Sequence, residues 1–188
     1  MINIEAINKD NIIHEPFDHL LIDFVDADVI KSLFSEYMEN LTTFGICKDT
    51  KRVAVGRHPI VDILEDYKDQ IIDKVNKLWD LDVVSISMGT SMFERNSEID
   101  THNDYNYDGN YSIPARGILY LNDKKVFGTK IYEDQHGPGK EVGGHPGQLL
   151  LFKVSKKSFH SAGLDTKSTG RIACNWLLSR ADSPHPGN

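Results

Sequence analysis

The amino-acid sequence predicts a mainly β fold, a sandwich or barrel of short strands supported by N-terminal helices. Two observations predict it. The first half of the chain carries two stretches with helical spacing of apolar residues, and the second half breaks into short strand-like runs between Gly, Pro, Asn and Asp. The runs cover 82–94, 111–121, 126–133, 148–154 and 170–179. Their length and spacing are typical of sandwiches and barrels.

The two helices are predicted ahead of these runs. Over 26–44, apolar residues recur every three or four positions, and Asp26 is placed to cap the first turn. The stretch 59–79 has the same spacing, and a proline is tolerated in the first turn of a helix. One further strand is predicted at 17–25. Amphipathic helices need a partner surface, so we expect both to pack on a sheet.

Composition limits the classes of function. A chain of 188 residues is most simply one domain. The net charge is −7, and Lys and Arg never run beyond pairs such as Lys124-Lys125, so we expect no nucleic-acid partner. Cys47 and Cys174 have no zinc-site or disulfide spacing. No signal peptide and no run of about 20 apolar residues is visible. We therefore expect a cytoplasmic protein without a membrane partner.

The stretch "HNDYNYDGN" at 102–110 fits two kinds of metal site. From Asp104 onwards it follows the opening of a helix-loop-helix calcium loop, with Asn106, Asp108 and Gly109 at matching positions. That loop requires a carboxylate at its twelfth position and helices on both sides. Ala115 stands at the twelfth position, and the flanks look like strands. The calcium interpretation is therefore disfavoured, and 105–110 is better explained as a polar turn.

The second interpretation begins at His102, because His-x-Asp supplies two of the three ligands of a non-haem Fe(II) facial triad. It requires a distant second histidine. His160 is the best candidate because it follows directly after the apolar strand 148–154. His136 and His145 lie in a Gly- and Pro-rich segment, and we expect both to be solvated.

The run 170–179 predicts a strand with two buried faces. Ile172, Cys174, Trp176 and Leu178 form one face, and Arg171, Ala173, Asn175 and Leu177 form the other. We expect the first face to meet the helices and the second to face the interior. An arginine that points into the interior needs an anion, either a structural ion pair or a bound ligand.

Together, these motifs resemble the Fe(II)/2-oxoglutarate-dependent dioxygenase superfamily in its prolyl-4-hydroxylase-like branch. They are "HND" at 102–104, "FHS" at 159–161 and "GRIACNW" at 170–176. "ILYLND" at 118–123 and "FGTKIY" at 127–132 also match strands of that branch. The resemblance implies one domain over 1–188, with helical support at about 17–80 and a double-stranded β-helix core (a jelly roll or cupin-like barrel) at about 81–180.

The resemblance also implies a cofactor set and residue roles. Fe(II), 2-oxoglutarate and dioxygen would react at the site, with ascorbate as a candidate reductant. The implied metal ligands are His102, Asp104 and His160. Arg171 would bind the far carboxylate of 2-oxoglutarate, and Tyr120 would donate a hydrogen bond to the same group. Asn175 would hydrogen-bond the cosubstrate or a nearby water.

The implied function is hydroxylation of a C–H bond, with release of succinate and carbon dioxide. The substrate is a peptide, prolyl or other, or a small molecule. Phe93 replaces a tyrosine that many members of the branch carry, which leaves non-prolyl substrates open. Recognition loops are predicted at 43–58, 105–112 and 134–147. The alternative is a non-catalytic, cupin-like metal- or ligand-binding barrel. Such barrels typically bind their metal through His-x-His, and they do not require an arginine at the position of Arg171. A degenerate interaction domain would have lost a ligand.

Overall fold

The computed structural model describes residues 1–46, 52–93, 99–105, 113–162 and 170–180, with the backbone alone at 43–46 and 52–54. The α-helices in these ranges are α1 (Ala27–Glu39), α2 (Pro59–Glu65) and α3 (Lys68–Trp79), and two short 3-10 helices precede them at Ile4–Ala6 and Lys9–Asn11. None of the α-helices in the described ranges is long and apolar enough to cross a membrane.

The strands form two antiparallel sheets. The larger sheet contains β1 (His19–Asp23), β2 (Thr43–Ile46), β3 (Arg52–Val55), β4 (Ser85–Phe93), β6 (Ala115–Tyr120), β9 (Gln148–Lys153) and β11 (Arg171–Ser179). The smaller sheet contains β5 (Ile99–His102), β7 (Thr129–Ile131), β8 (Lys140–Val142) and β10 (His160–Ala162). The strand orders are β1-β9-β6-β11-β4-β3-β2 and β5-β10-β7-β8. The mainly β architecture predicted from the sequence is confirmed.

The helices pack on the outer face of the larger sheet. Ile172, Cys174, Trp176 and Leu178 of β11 are buried in one core together with apolar residues of all three α-helices. The Trp176 ring meets Phe24 edge to face, with ring centroids 5.4 Å apart. The prediction that this face of the strand meets the helices is confirmed.

The inner face of the larger sheet meets the smaller sheet in a second core. Ile118, Tyr120, Leu150, Phe152 and Ala173 of the larger sheet cluster with Ile131 of β7 and Val142 of β8. Because side chains alternate along a strand, Arg171 and Asn175 share the inner face with Ala173. The space between the two sheets is where the candidate site lies.

The helix boundaries depart from the prediction in two places. Asp26 caps α1 as expected, and its side chain accepts a hydrogen bond from the Asp28 backbone N–H, but the helix ends at Glu39 because the chain then enters β2. The predicted helix 59–79 is two helices. At the junction the backbone N–H of Tyr67 donates to Leu64 in a tighter turn. The bend keeps apolar faces of both helices on the sheet, and no glycine or proline signals it.

Two predicted loops contain strands that periodicity did not indicate. The range 43–58 includes β2 and β3, which pair as a hairpin, and 134–147 includes β8, which pairs with β7. These strands are three or four residues long. Such short segments have too few side chains for a visible alternation, so their extended form depends on the neighbouring strand.

Adjacent residues of α2 allow a matched test of the helix-facing core. Leu64 is fully buried, whereas Ile63 is 42% exposed. We expect Leu64→Ala to lower the free energy of unfolding by about 2–5 kcal/mol, because it leaves a cavity in the core. Ile63→Ala should change it by less than about 0.5 kcal/mol. Urea denaturation measures both, and equal losses would contradict the packing described.

Candidate active site

The smaller sheet places two histidines opposite each other. In the pairing of β5 with β10, His102 and His160 are direct cross-strand partners. Side chains of opposed residues start about 4.5–5.5 Å apart, and the two imidazole centroids are separated by 4.4 Å. Strand pairing thus brings together two residues that are far apart in sequence.

Asp104 completes the cluster from the segment just after β5. Its Oδ1 lies 3.8 Å from His102 Nε2, and its Oδ2 lies 3.4 Å from His160 Nε2. One candidate ligand atom from each of the three residues lies within 4.8 Å of the others. The structure therefore brings the three predicted metal ligands into one cluster.

Backbone contacts orient both imidazoles. His102 Nδ1 lies 2.8 Å from the carbonyl oxygen of Asp100, and His160 Nδ1 lies 2.9 Å from that of Ser158. A ring nitrogen facing a carbonyl carries the proton, so each Nε2 keeps a free lone pair. Burial lowers the pKa of His160 to about 4. This histidine is therefore neutral at neutral pH, the form that binds metals.

One oxygen of the Asp104 carboxylate is buried without a hydrogen bond among the described residues. Within the described part of the chain, its Oδ2 makes no hydrogen bond, although Arg116 Nε of β6 lies 3.3 Å away. The ion pair with Arg116 balances part of this buried charge, and the oxygen keeps lone pairs that a metal ion could take. The sequence interpretation did not single out Arg116. Counting back by twos from Tyr120 along β6 would have placed it on the same inner face.

Arg171 is buried, with 5% of its surface exposed. Its Nη1 donates to the Gly128 carbonyl at 2.8 Å and its Nη2 to Thr129 Oγ1 at 3.2 Å. Its guanidinium lies 5.2 Å from the ring centroid of Phe93 and 5.1 Å from that of Tyr120. Burial lowers the pKa of this guanidinium.

No carboxylate forms an ion pair with Arg171 across the ranges that the structure covers. Its partners there are neutral oxygens, and its Nε has none. The nearby Glu141 carboxylate acts on the charge of Arg171 without forming an ion pair with it among the described residues. A buried guanidinium whose hydrogen-bond partners are neutral can therefore still take an anion from outside the chain.

Tyr120 lies beside Arg171 and shares its partner Thr129. The Tyr120 hydroxyl is 2.9 Å from Thr129 Oγ1 and donates to the Val142 carbonyl at 3.3 Å. Burial raises the pKa of Tyr120, so the hydroxyl keeps its proton and can donate to an anion. Gly143 has φ +75°, and a Cβ there would lie 2.5 Å from a Tyr120 ring carbon, so this wall requires glycine.

Asn175 lies on the inner face but apart from the Arg171 group. Its Nδ2 donates to Ser91 Oγ of β4 at 2.8 Å. Four residues of strand separate it from Arg171, about 13 Å. It lines a small cavity together with Arg116 instead. The structure therefore does not place Asn175 with the other residues predicted to bind the cosubstrate.

The remaining residues that the sequence suggested as metal ligands are either exposed or outside the described part of the chain. His136 and His145 are exposed, as the sequence indicated. Asn106, Asp108 and Gly109, like most of the predicted recognition loop 105–112, lie outside the described residues. The flanks of this segment are β5 and β6, so the helical flanks that a calcium loop requires are absent there.

Comparisons with known proteins identify the fold. No family model and no curated protein sequence matches the chain. A Pseudomonas putida prolyl-4-hydroxylase structure is similar over 86% of this chain and 92% of its own, with 16% identity and a TM-score of 0.67. A Trichoplax adhaerens prolyl hydroxylase, solved with a hypoxia inducible factor peptide, matches over 86% and 83%, with 11% identity and a TM-score of 0.66.

A third similar structure is an oxidoreductase of the 2OG-Fe(II) oxygenase family from Burkholderia pseudomallei. It matches over 88% of this chain and 85% of its own, with 11% identity and a TM-score of 0.58. At these identities the similarity establishes the fold. The resemblance to the prolyl-4-hydroxylase-like branch that the sequence motifs indicated is thus confirmed at the level of the fold.

Removing one charge from the cluster tests whether it binds a divalent cation. We expect Asp104→Asn to weaken anaerobic Fe(II) binding by more than about 10-fold, because it replaces the only anionic ligand with a neutral amide. Asp123→Asn, at an exposed carboxylate, is the matched control and should bind as wild type does. Isothermal titration measures both affinities. Equal affinity in the two variants would show that the cluster is not the metal site.

Proposed function

We propose that this chain is an Fe(II)- and 2-oxoglutarate-dependent oxygenase with a double-stranded β-helix core. The observation that carries the proposal is the combination of a His-Asp-His cluster with a buried arginine that lacks an acidic partner among the described residues. The first provides a site for a metal, and the second a site for an anion. An enzyme that uses a metal together with an anionic cosubstrate needs both.

The three residues fit Fe(II) in chemistry as well as in number. Two neutral imidazoles and one carboxylate are the ligands of the facial triad, and they leave positions open for other ligands. Asp104 Oδ2, buried and without a hydrogen bond among the described residues, supports a cation at the centre. Fe(II) bound there would supply the redox chemistry that activates dioxygen. The backbone carbonyls that hold each Nδ1 would keep both ligands aimed at it.

The spacing between the two sites suits 2-oxoglutarate. On β10, His160 pairs with Ile131 and Ala162 pairs with Thr129, so the Thr129 end of the pocket is two residues from the metal ligand. Two residues span about 7 Å. A five-carbon dicarboxylate with C–C bonds of about 1.5 Å reaches roughly 5 Å between its end carbons, which leaves room for contacts at both ends.

Arg171, Tyr120 and Thr129 would bind the far carboxylate. The guanidinium fork presents parallel N–H donors to two oxygens, and the Tyr120 hydroxyl adds a third donor. The guanidinium lies over the rings of Phe93 and Tyr120, and 5% of the Arg171 surface is exposed. A charge pair formed in such a dry site is stronger than one at the surface. The chain would thereby hold the cosubstrate in one orientation.

The proposed overall reaction inserts one oxygen atom of dioxygen into a substrate C–H bond and the other into succinate, with loss of carbon dioxide. Ascorbate would serve as the reductant that keeps the iron as Fe(II). A prolyl peptide, another peptide and a small molecule are all candidate substrates, and we infer a cytoplasmic location from the sequence. The alternative of a non-catalytic cupin-like barrel offers no role for Arg171 and Tyr120.

The decisive experiment supplies Fe(II) and 2-oxoglutarate without oxygen and then admits it. We expect wild-type protein to form succinate, slowly alone and faster with candidate substrates, because both sites are then filled. Asp104→Asn should form none above background. Succinate is quantified by mass spectrometry. The proposal fails if wild type and Asp104→Asn give the same amount with every candidate substrate.

Arg171→Lys tests the anion site separately from the metal. Lysine keeps the positive charge but loses the fork and its fixed donors. We expect the KM for 2-oxoglutarate to rise roughly 10-fold or more, since a hydrogen bond to a charged group contributes about 1.5–3 kcal/mol. Fe(II) affinity should be unchanged. Arg57→Lys, at an exposed ion pair, is the control. An unchanged KM for 2-oxoglutarate would show that Arg171 does not bind the cosubstrate.

A further inference from the structure

A small polar cavity lies on the inner face of the larger sheet beside the metal cluster. Its lining includes Ser87, Gly89 and Ser91 of β4, Arg116 of β6, and Asn175 and Leu177 of β11. Its volume is about 240 Å³. Pockets for drug-sized ligands begin at roughly 300 Å³, so this space suits a group the size of one amino acid.

Strand register places the cavity and the Arg171 site at opposite ends of one face. On β11, Leu177 pairs with Arg116 and with Ser87, while Arg171 pairs with Phe93. Six residues of antiparallel strand separate the two ends, about 20 Å. The metal cluster adjoins the cavity because Arg116 Nε lies 3.3 Å from Asp104 Oδ2. A molecule in the cavity would thus reach the metal from the side away from the cosubstrate.

The lining is polar and has one positive charge. Asn175 donates to Ser91 at 2.8 Å, which fixes the orientation of the amide. Arg116 is the charged residue of the lining. Its ion pair with Asp104 runs through Nε, which leaves Nη1 and Nη2 as the donors that a ligand could use. Two such N–H groups match the two oxygens of a carboxylate.

Resting on the function proposed above, we propose that this cavity binds the primary substrate and that the substrate is an amino-acid-sized carboxylic acid. Arg116 binds its carboxylate and, through its Nε, offsets the repulsion from Asp104. Ser87 and Asn175 contact its polar groups, and Leu177 contacts its carbon chain. The backbone of an internal peptide residue offers neutral carbonyl acceptors to this position but no negative charge to pair with the guanidinium.

Gly89 offers a way to fill the cavity without disturbing the fold. Among the described residues, no heavy atom lies within 4 Å of where a Cβ at this glycine would stand. A leucine at position 89 therefore extends into the cavity, with no metal or cosubstrate ligand altered. Val84→Leu introduces a leucine into the same part of the chain at a site that is 57% exposed and outside the cavity, and it is the control.

The test measures binding rather than turnover. The protein is first loaded with Zn(II) and 2-oxoglutarate. It is then titrated with three kinds of compound, and binding is monitored by saturation-transfer NMR. The compounds are the free proteinogenic amino acids, their carboxamides, and an N-acetylated prolyl peptide amide. We expect at least one free acid to bind at least 10-fold more tightly than its carboxamide. Gly89→Leu should abolish this binding and leave 2-oxoglutarate affinity unchanged, and Val84→Leu should change neither. Arg116→Gln should bring the acid and its amide to similar affinity.

The outcomes separate this inference from the proposed function. If 2-oxoglutarate binds but no free acid does, or if acids and amides bind equally, the inference is wrong and the oxygenase proposal stands. Tighter binding of the peptide amide, or acid binding that survives Gly89→Leu, also overturns it. If 2-oxoglutarate does not bind to wild type, the proposed function fails, and this inference fails with it.

Discussion

The candidate site depends on the register between β5 and β10. That register sets His102 directly opposite His160, and the cluster exists only because the two imidazoles lie on the same face. Since successive side chains of a strand point to opposite faces, a slip of one residue would turn one imidazole away. The register itself is supported from outside the pair, because β10 also pairs with β7 and the His160 ring packs 4.9 Å from that of Phe152. The smaller sheet therefore orders the cluster only when it is packed on the larger one.

Burial determines the electrostatics of both the His-Asp-His cluster and the Arg171 end of the site. Burial holds His160 neutral. Among the described residues, Arg171 has only neutral hydrogen-bond partners, and Asp104 Oδ2 makes no hydrogen bond but forms an ion pair with Arg116. Leaving such groups inadequately paired costs stability. The arrangement is physically reasonable if a cation and an anion from solution take up these two positions. The proposed function meets both requirements with one reaction.

Close backbone approach shapes the Arg171 end of the inner face. A Cβ on Gly128 would lie 2.0 Å from the Val142 carbonyl oxygen, so the chain before β7 approaches β8 more closely than any side chain allows. This approach brings the Gly128 carbonyl to Arg171 Nη1 and the Thr129 hydroxyl to Tyr120. Two strands of three residues each thus form a wall, of which the sequence indicated β7 but not β8.

The sequence by itself determined the class of fold, the two-faced strand β11 and the candidate residues His102, Asp104, His160 and Arg171. It could do so because alternation along long strands is a local property, and because the motifs matched a known pattern. The helix break near Tyr67, the short strands β2, β3, β5, β8 and β10, and the role of Arg116 beside Asp104 were decided only by the tertiary structure. Each of these depends on contacts between segments distant in sequence. Asn175 combines both cases, because alternation along β11 predicts its inner face, whereas its partner Ser91 was decided by the pairing of β11 with β4.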